Sequence, residues 1–237
     1  MPKISHEKWK VFENVFDQHS LRNLFKLSSQ GYFVELKSPI SVGKEANVFS
    51  ATTKDGSLVV VKIYRLESCN FNKMYDYIKA DPRFLALKHQ RRKVIFSWTQ
   101  REYRNLLKAR ELNVRVPKPL TFLDNILVLE MIGDESPSPQ LKDLMPSDKK
   151  AMKAMFEEVT GYMRNLYKGG LVHADLSGFN ILNKDGAPVF IDFSQSTTLE
   201  NSEAERYLDR DVKNICALFR KYGFAADENE VLAKIRK

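Results

Sequence analysis

Apolar positions recur at helical spacing over residues 7 to 27, EKWKVFENVFDQHSLRNLFKL, where Trp9, Phe12 and Phe16 form one stripe and Leu21, Leu24 and Phe25 a second. Ser20 stands where it would cap the second helix. A helix pair is therefore predicted at the N-terminus, as a packing element or as a DNA-binding helix-turn-helix. The period then shortens to two. YFVEL (32 to 36), ANVFSATT (46 to 53) and SLVVVKIY (57 to 64) read as strands, with KDG at 54 to 56 as a hairpin turn. A helix is predicted near 98 to 110, WTQREYRNLLKAR; VPKP follows as a proline-stiffened turn and NILVLEMI (125 to 132) as a further strand. Residues 147 to 168 place Met152, Met155, Phe156, Val159, Met163 and Leu166 on one stripe, with Ser147 as N-cap and Gly169-Gly170 as the stop. The pattern is a small sheet-rich half followed by a larger helical half, meeting near LEMIGDE, residues 129 to 135.

Composition narrows the class. With 237 residues and 43% hydrophobic content the chain can bury a full core, either as one large domain or as two lobes. It has no apolar run approaching the roughly 18 residues of a membrane span, so no membrane association is expected. The start, MPKISHEKWK, has no apolar region of secretory type. Cys69 and Cys216 lie far apart and match no metal or redox spacing; both read as reduced thiols, which points to a cytoplasmic protein. The net charge of +8 is partly clustered: RFLALKHQRRK, residues 83 to 93, carries five basic residues and no acid, and Arg206 to Lys221 adds a second group. Such clusters serve a polyanionic partner such as RNA, or merely a solvated face.

Three stretches carry the chemistry. SPISVGKEANVFSA, residues 38 to 51, offers a turn of small and polar residues between strands, Ser41, Val42, Gly43, Lys44, Glu45, Ala46 and Val48, where backbone N–H groups can approach phosphate oxygens. Lys62 sits among valines and isoleucine on a half-buried strand, where an ammonium needs an anionic partner, a phosphate or a carboxylate. LVHADLSGFNIL (171 to 182) and FIDFSQS (190 to 196) each deliver an acid at or just past the end of an apolar run. Magnesium takes few protein oxygens and keeps substrate phosphates in its shell, so Asn180 and Asp192 suffice to hold it. Asp175 is then left to act as general base. A lysine, two metal ligands and a base make a phosphoryl-transfer set.

H-x-D-x-x-x-x-N at 173 to 180, DF at 192 to 193 and Lys62 resemble the protein-kinase signatures. Alignment on Val48 puts Ser41, Gly43 and Ala46 at the three glycine positions of the kinase loop, so a single glycine remains. That departure, with SVGKEANV, HADLSGFN, IDFSQS and the preceding VFDQHSLRNLFKLSSQGYFVEL, resembles the first subfamily of the RIO family of atypical kinases over nearly the whole chain. The short tails resemble an archaeal version. The resemblance implies a two-lobed, kinase-like α+β fold: a helical extension over 1 to 36, an N-lobe over 37 to 132 and a C-lobe over 133 to 237. It implies ATP with Mg2+, or Mn2+ in its place, as cofactors. Glu102 resembles the helix-C glutamate that pairs with Lys62, with Glu67 as competitor, and the spacing implies an extra mobile, basic insertion over 65 to 96. Glu130, Met131 and Ile132 resemble the hinge that meets adenine. Asp211 resembles the acid that braces the catalytic loop, His173 is architectural, and Asp209 reads as a surface charge.

No APE element can follow, since the last proline is Pro188, and Ser177 stands where protein kinases carry a lysine. Fast peptide phosphorylation is therefore doubtful, whereas ATP hydrolysis or autophosphorylation, with Asp192 as a transient phosphoacceptor, stays open. Family resemblance implies a part in maturation of the small ribosomal subunit, with the pre-ribosome and its RNA as partners and an unknown protein substrate. The alternatives are an aminoglycoside-type small-molecule phosphotransferase and a catalytically silent RNA-binding scaffold.

Overall fold

The computed structural model describes residues 16 to 237 except 68 to 70 and 85 to 88. The first of the two expected N-terminal helices, with Trp9 and Phe12, lies outside the described residues, as does Cys69. The second is helix α1, Gln18–Ser29. Its cap is Asp17, whose carboxylate accepts from the N–H groups of His19 and Ser20, each at 3.0 Å. Ser20 lies inside the helix, buried, with its hydroxyl donating to Asp17 and accepting from Asn125. The sequence offers two good cap residues three apart, and the earlier one is used.

A five-stranded antiparallel sheet follows, ordered β1-β2-β3-β5-β4. Strand β1, Glu35–Val42, runs well past the predicted YFVEL, so Ser41 and Val42 belong to a strand and not to the turn. Its pairing with β2, Ala46–Thr52, shifts register on either side of Pro39. An edge strand tolerates a proline there because no inner neighbour needs its missing N–H. The turn is cut to residues 43 to 45, closed by Gly43 N–H donating to Ala46 O at 3.0 Å. Strand β3, Leu58–Tyr64, pairs with β2 and β5, Ile126–Glu130, and sets Lys62 between Val48 and Leu127. Strand β4 is Pro119–Leu123. One face of the sheet packs Phe49, Val61 and Val128 against Leu24 and Leu27 of α1.

The described parts of 65 to 96 form structure of their own: helix α2, Phe71–Lys79, and a short 3-10 turn, Pro82–Phe84. Met74, Ile78 and Phe84 pack on Val94, Ile95 and Trp98 of helix α3, Arg91–Glu111. Helix α3 therefore begins seven residues before the predicted start. The run Arg91-Arg92-Lys93 opposes the positive end of the helix dipole and hides the start, while burial of Val94, Ile95 and Trp98 outweighs that penalty.

The second half is built on α4, Lys149–Lys168, α5, Ala204–Lys221, and α6, Glu228–Arg236. Met152, Met155, Val159, Met163 and Leu166 are buried as one stripe. Among these helices lie two short ladders: β6, Leu171–Val172, with β9, Thr197–Thr198, and β7, Ile181–Lys184, with β8, Ala187–Phe190. No described helix is long and apolar enough to cross a membrane.

Helix α4 is capped by Asp148, which accepts from Ala151 N–H at 2.9 Å, and not by Ser147. Asp148→Ala should lower stability by about 1 kcal/mol, whereas Ser147→Ala should change it by less than about 0.5 kcal/mol. Urea unfolding of both variants checks the assignment.

Candidate active site

The two ladders bring the two loops together. The first loop, 173 to 180, leaves β6 and enters β7; the second, 191 to 196, leaves β8 and enters β9. Because β6 pairs with β9, the start of the first loop is tied to the end of the second. Ile191 N–H donates to Asn180 O at 3.0 Å, and Ser196 Oγ donates to His173 O at the same distance. Asp175, Asn180 and Asp192 are thus held side by side by backbone pairing. Asn180 Nδ2 donates to Asp175 O at 2.8 Å and to its Oδ2 at 3.3 Å.

Lys62 reaches this cluster from the sheet. Its Nζ donates to Glu102 Oε1 at 2.8 Å and to Asp192 Oδ1 at 2.9 Å. Burial pushes the ammonium pKa down, but the two carboxylates outweigh it and hold the value well above the usual lysine range. Burial raises Glu102 against the pull of Lys62. Burial also pushes Asp192 up, yet Lys62 and the Ser194 hydroxyl, 2.7 Å from Oδ1, hold it down at about 2. Asp192 adopts φ 60° and Ala174 φ 65°, a region that non-glycine residues enter only when their surroundings enforce it. For Ala174 the enforcing group is Asp211, which accepts from the N–H of Ala174 at 2.8 Å and of Leu176 at 2.9 Å, while Arg210 donates to Ala174 O. Burial lifts the Asp211 carboxyl to about 7.

A cleft of about 360 Å³ is lined by Ser41, Gly43, Lys44, Glu45, Ala46, Val48, Lys62, Asp175 and Asp192. Val42 does not line it; strand alternation turns its side chain outward, where it is 67% exposed. Met131 and Ile132 are buried, and Ile132 packs with Leu182 and Val189. In the expected hinge, Glu130 N–H donates to Lys118 O and Ile132 O accepts from Ser138 N–H, so both groups are engaged within the protein. The Glu130 side chain is exposed and accepts from Lys118 N–H. Glu67, the rival partner for Lys62, instead accepts from Arg91 through its carbonyl. Asp209 is exposed and pairs with Arg236.

Three cleft residues were not singled out from the sequence. Tyr64 donates its hydroxyl to Glu102 Oε2, and it stands two residues after Lys62, on the same face of the strand. Ser194 holds Asp192, again at a spacing of two. Gln195 Nε2 donates to Asp175 Oδ2 at 3.3 Å. Strand period would have flagged Tyr64; nothing local flags Gln195.

The donor set suits a nucleotide with a divalent ion. Lys62 and Ser194 both engage Oδ1 of Asp192, which leaves Oδ2 for a cation, and Asn180 uses its amide nitrogen on Asp175, which leaves its amide oxygen. Among the described residues no cluster of three or more His, Cys, Asp or Glu could hold a metal alone. An ion that brings phosphate oxygens with it needs no such cluster.

The chain is similar to known proteins in sequence and in fold. A family model, the RIO domain, matches residues 47–231. The chain is 38% identical over 222 residues to the RIO-type serine/threonine-protein kinase Rio1 of Haloferax volcanii, covering 93% of this chain and 76% of that protein. It is 41% identical over 217 residues to the protein of the same name in Methanocaldococcus jannaschii, covering 91% and 73%. Serine/threonine-protein kinase RIO1 of Homo sapiens is 35% identical over 217 residues, which span 90% of this chain but 38% of the human protein. Among solved structures, the Rio2 kinase-ADP/Mg2+-phosphoaspartate complex from Chaetomium thermophilum matches with a TM-score of 0.69 at 20% identity, covering 90% of this chain and 65% of that one. The fold is thus the two-lobed, kinase-like α+β arrangement.

His173 supplies a test of the loop packing. It is buried against Phe193, with ring centroids 4.6 Å apart, and its Nε2 bonds Ile191 O at 3.0 Å. Burial lowers its pKa from 6.5 to about 4. Between those values the unfolded chain takes up a proton that the native state refuses, so this group's contribution is present above pH 6.5 and is lost as pH falls toward 4. Unfolding free energies measured by urea at pH 7 and pH 4.5 should differ more for the parent protein than for His173→Gln.

Proposed function

The chain belongs to the RIO family, and we propose that it is an ATP- and magnesium-dependent atypical serine/threonine protein kinase or ATPase that acts in maturation of the small ribosomal subunit. The observation that carries this reading is the reach of Lys62 to Glu102 and Asp192 at once, within one cleft shared with Asp175 and the 41 to 48 hairpin. The names borne by the relatives support the kinase class.

In this reading residues 37 to 132, joined by Glu35 and Leu36 at the start of β1, form the nucleotide-binding lobe and 133 to 237 the catalytic lobe. Gly133 favours the division. It has φ 143°, and a Cβ there would lie 2.0 Å from Ser136 O, so only glycine permits the tight turn between the halves. The hairpin at Gly43 brings backbone N–H groups toward phosphate oxygens, and Lys62 orients the phosphates with Glu102 holding its amine. Asn180 and Asp192 would hold Mg2+, or Mn2+, which neutralises charge on the phosphates. Asp175 accepts the proton of an attacking hydroxyl or water. His173 and Asp211 hold the loop backbone.

The phosphoaspartate named in the structure of the Rio2 relative supports a second role for Asp192. In that role a carboxylate oxygen of Asp192 attacks the γ-phosphorus, the bond to the bridging oxygen of ADP breaks, and an acyl phosphate results. Water then cleaves that bond, releasing phosphate and restoring the carboxylate. Ser177 in place of the usual lysine suits such slow cycling better than fast peptide phosphorylation.

The basic residues at 91 to 93 fit a pre-ribosomal RNA partner, with one revision. Arg91 bonds the carbonyls of Leu66 and Glu67 and lies over the Phe71 ring, so it has a structural part. Arg92 and Lys93 are exposed. Neutralising these two should lower the salt slope of RNA binding by roughly 0.7 to 0.9 for each RNA phosphate that either side chain neutralises, measured by titration at several salt concentrations. An unchanged slope would return them to a solvated face.

ATP turnover with and without magnesium tests the main reading. Asp175→Ala should keep nucleotide affinity while turnover falls by about 10² to 10⁴. Asp192→Ala should lose magnesium-dependent affinity together with turnover. Trapped protein should carry hydroxylamine-labile phosphate at Asp192; acid-stable phosphoserine alone would remove the phosphoacceptor role. Full turnover in Asp175→Ala would remove the base assignment.

A further inference from the structure

The segment between β3 and α3 has no part in the phosphoryl-transfer reading, yet its buried polar residues address the second active-site loop. Asp81, two residues beyond α2, is wholly buried, as is Arg101 on α3, and Arg101 Nε lies 3.1 Å from Asp81 Oδ2. Arg83 brackets the same carboxylate, with Nε donating to Oδ1 at 2.8 Å and NH2 to Oδ2 at 2.6 Å. Burial pushes Asp81 up, but Arg83 and Arg101 outweigh it and keep the carboxyl below its usual range. Burial pushes Arg101 down to about 10, so it remains charged at neutral pH.

Two paths lead from these charges to residues 193 to 196. Arg101 NH2 donates to Gln195 O at 3.3 Å. Arg83 NH1 donates to Asn105 Oδ1 at 2.9 Å, and Asn105 Nδ2 bridges Phe193 O at 3.0 Å and Ser196 O at 2.8 Å. The carbonyls of Phe193, Gln195 and Ser196 are therefore all held from α3. Gln195 also lines the cleft and donates through Nε2 to Asp175 Oδ2 at 3.3 Å. Buried ion pairs of this kind add little net stability compared with apolar packing, so stability alone does not account for two arginines on one carboxylate. Directional control of the loop does.

We infer that Asp81 and Arg83 are positioning residues for Asp175: through Arg101 and Asn105 they fix the backbone of residues 193 to 196, and Gln195 carries that position to the Asp175 carboxylate. The inference rests on the reading of Asp175 as the base. The order of transmission is set by the bonds themselves. Asp81 and Arg83 touch neither the cleft nor Asp175; Gln195 touches both the loop clamp and the acid.

Steady-state ATP turnover and nucleotide affinity, measured on the full chain, test it. Asp81→Asn, Arg83→Gln and Gln195→Ala should each lower kcat by about ten- to a hundredfold, the effect of a misplaced reacting group, with KM for ATP and nucleotide affinity unchanged. If all three act through the Gln195–Asp175 contact, as inferred, Asp81→Asn combined with Gln195→Ala should lose no more than the larger single change. If Asp81→Asn does not fold, Arg83→Gln with Gln195→Ala carries the same cycle, since the Arg83 side chain is 28% exposed. Parent-like kcat in Gln195→Ala, losses that multiply in the double variant, or a KM that rises in step with the loss of kcat would overturn the inference. Parent-like turnover in Asp175→Ala would remove the base reading itself, so the two failures are distinguishable.

Discussion

A buried ammonium cannot be left unpaired, and Lys62 is the group on which this molecule's two halves agree. It meets Glu102, 40 residues on, and Asp192, 130 residues on, at 2.8 and 2.9 Å. Removing either partner strands charge in a low-dielectric site, typically at a cost of about 3 to 5 kcal/mol for a fully buried pair. The cost is smaller for Asp192, whose side chain is 40% exposed. Sheet, helix α3 and the second loop are therefore selected together. Tyr64 tightens the choice by taking the other oxygen of Glu102, so that both carboxylate oxygens are engaged.

What Lys62 needs on the far side is a carboxylate held still, and the second half supplies it with very little regular structure. The ladders β6–β9 and β7–β8 fix the ends of both loops. The loops then accept strained backbone at Ala174 and Asp192. Asp211 and Arg210 clamp the first from α5, and Asn105 clamps the second from α3. Gly178 shows how closely the first loop is packed: a Cβ there would lie 2.9 Å from Leu218 and 3.1 Å from Lys142. Loops paired at both ends and clamped by hydrogen bonds from two helices keep these carboxylates in place with little regular structure of their own.

How much of this is legible in the sequence depends on whether a residue's partner is local. Strand β3 with its lysine, the stripe on α4 and the acids at 175 and 192 all follow from period and spacing. Helix caps fall on the other member of a pair of adequate residues, Asp17 rather than Ser20 and Asp148 rather than Ser147, because propensity cannot rank two caps that lie close together. The start of α3 is hidden since a basic first turn argues against a helix, and only tertiary burial of Ile95 and Trp98 overrides it. Strand β1 runs through a proline that an interior strand would refuse and an edge strand accepts. The pairing of Lys62 with Glu102 comes from family resemblance alone. No local pattern could give Asn105 or Gln195, whose partners lie 88 and 20 residues away.

Helix α3 unites these distant contacts. Arg101 and Asn105 stand four apart, hence on one face, and both address the second loop. Glu102 lies next round the helix and addresses the sheet. A translation or rotation of α3 would thus loosen Lys62, Gln195 and the Phe193 carbonyl at the same moment, so intermediate arrangements leave several buried polar groups unsatisfied. Each such group costs roughly 1 to 3 kcal/mol, which disfavours partial displacement more than the loss of any single bond would. The helix is consequently held in one seating by polar constraints from both ends of the chain. The geometry of the cleft inherits that definition, since Lys62, Asp192 and the residue contacting Asp175 all take their positions from it.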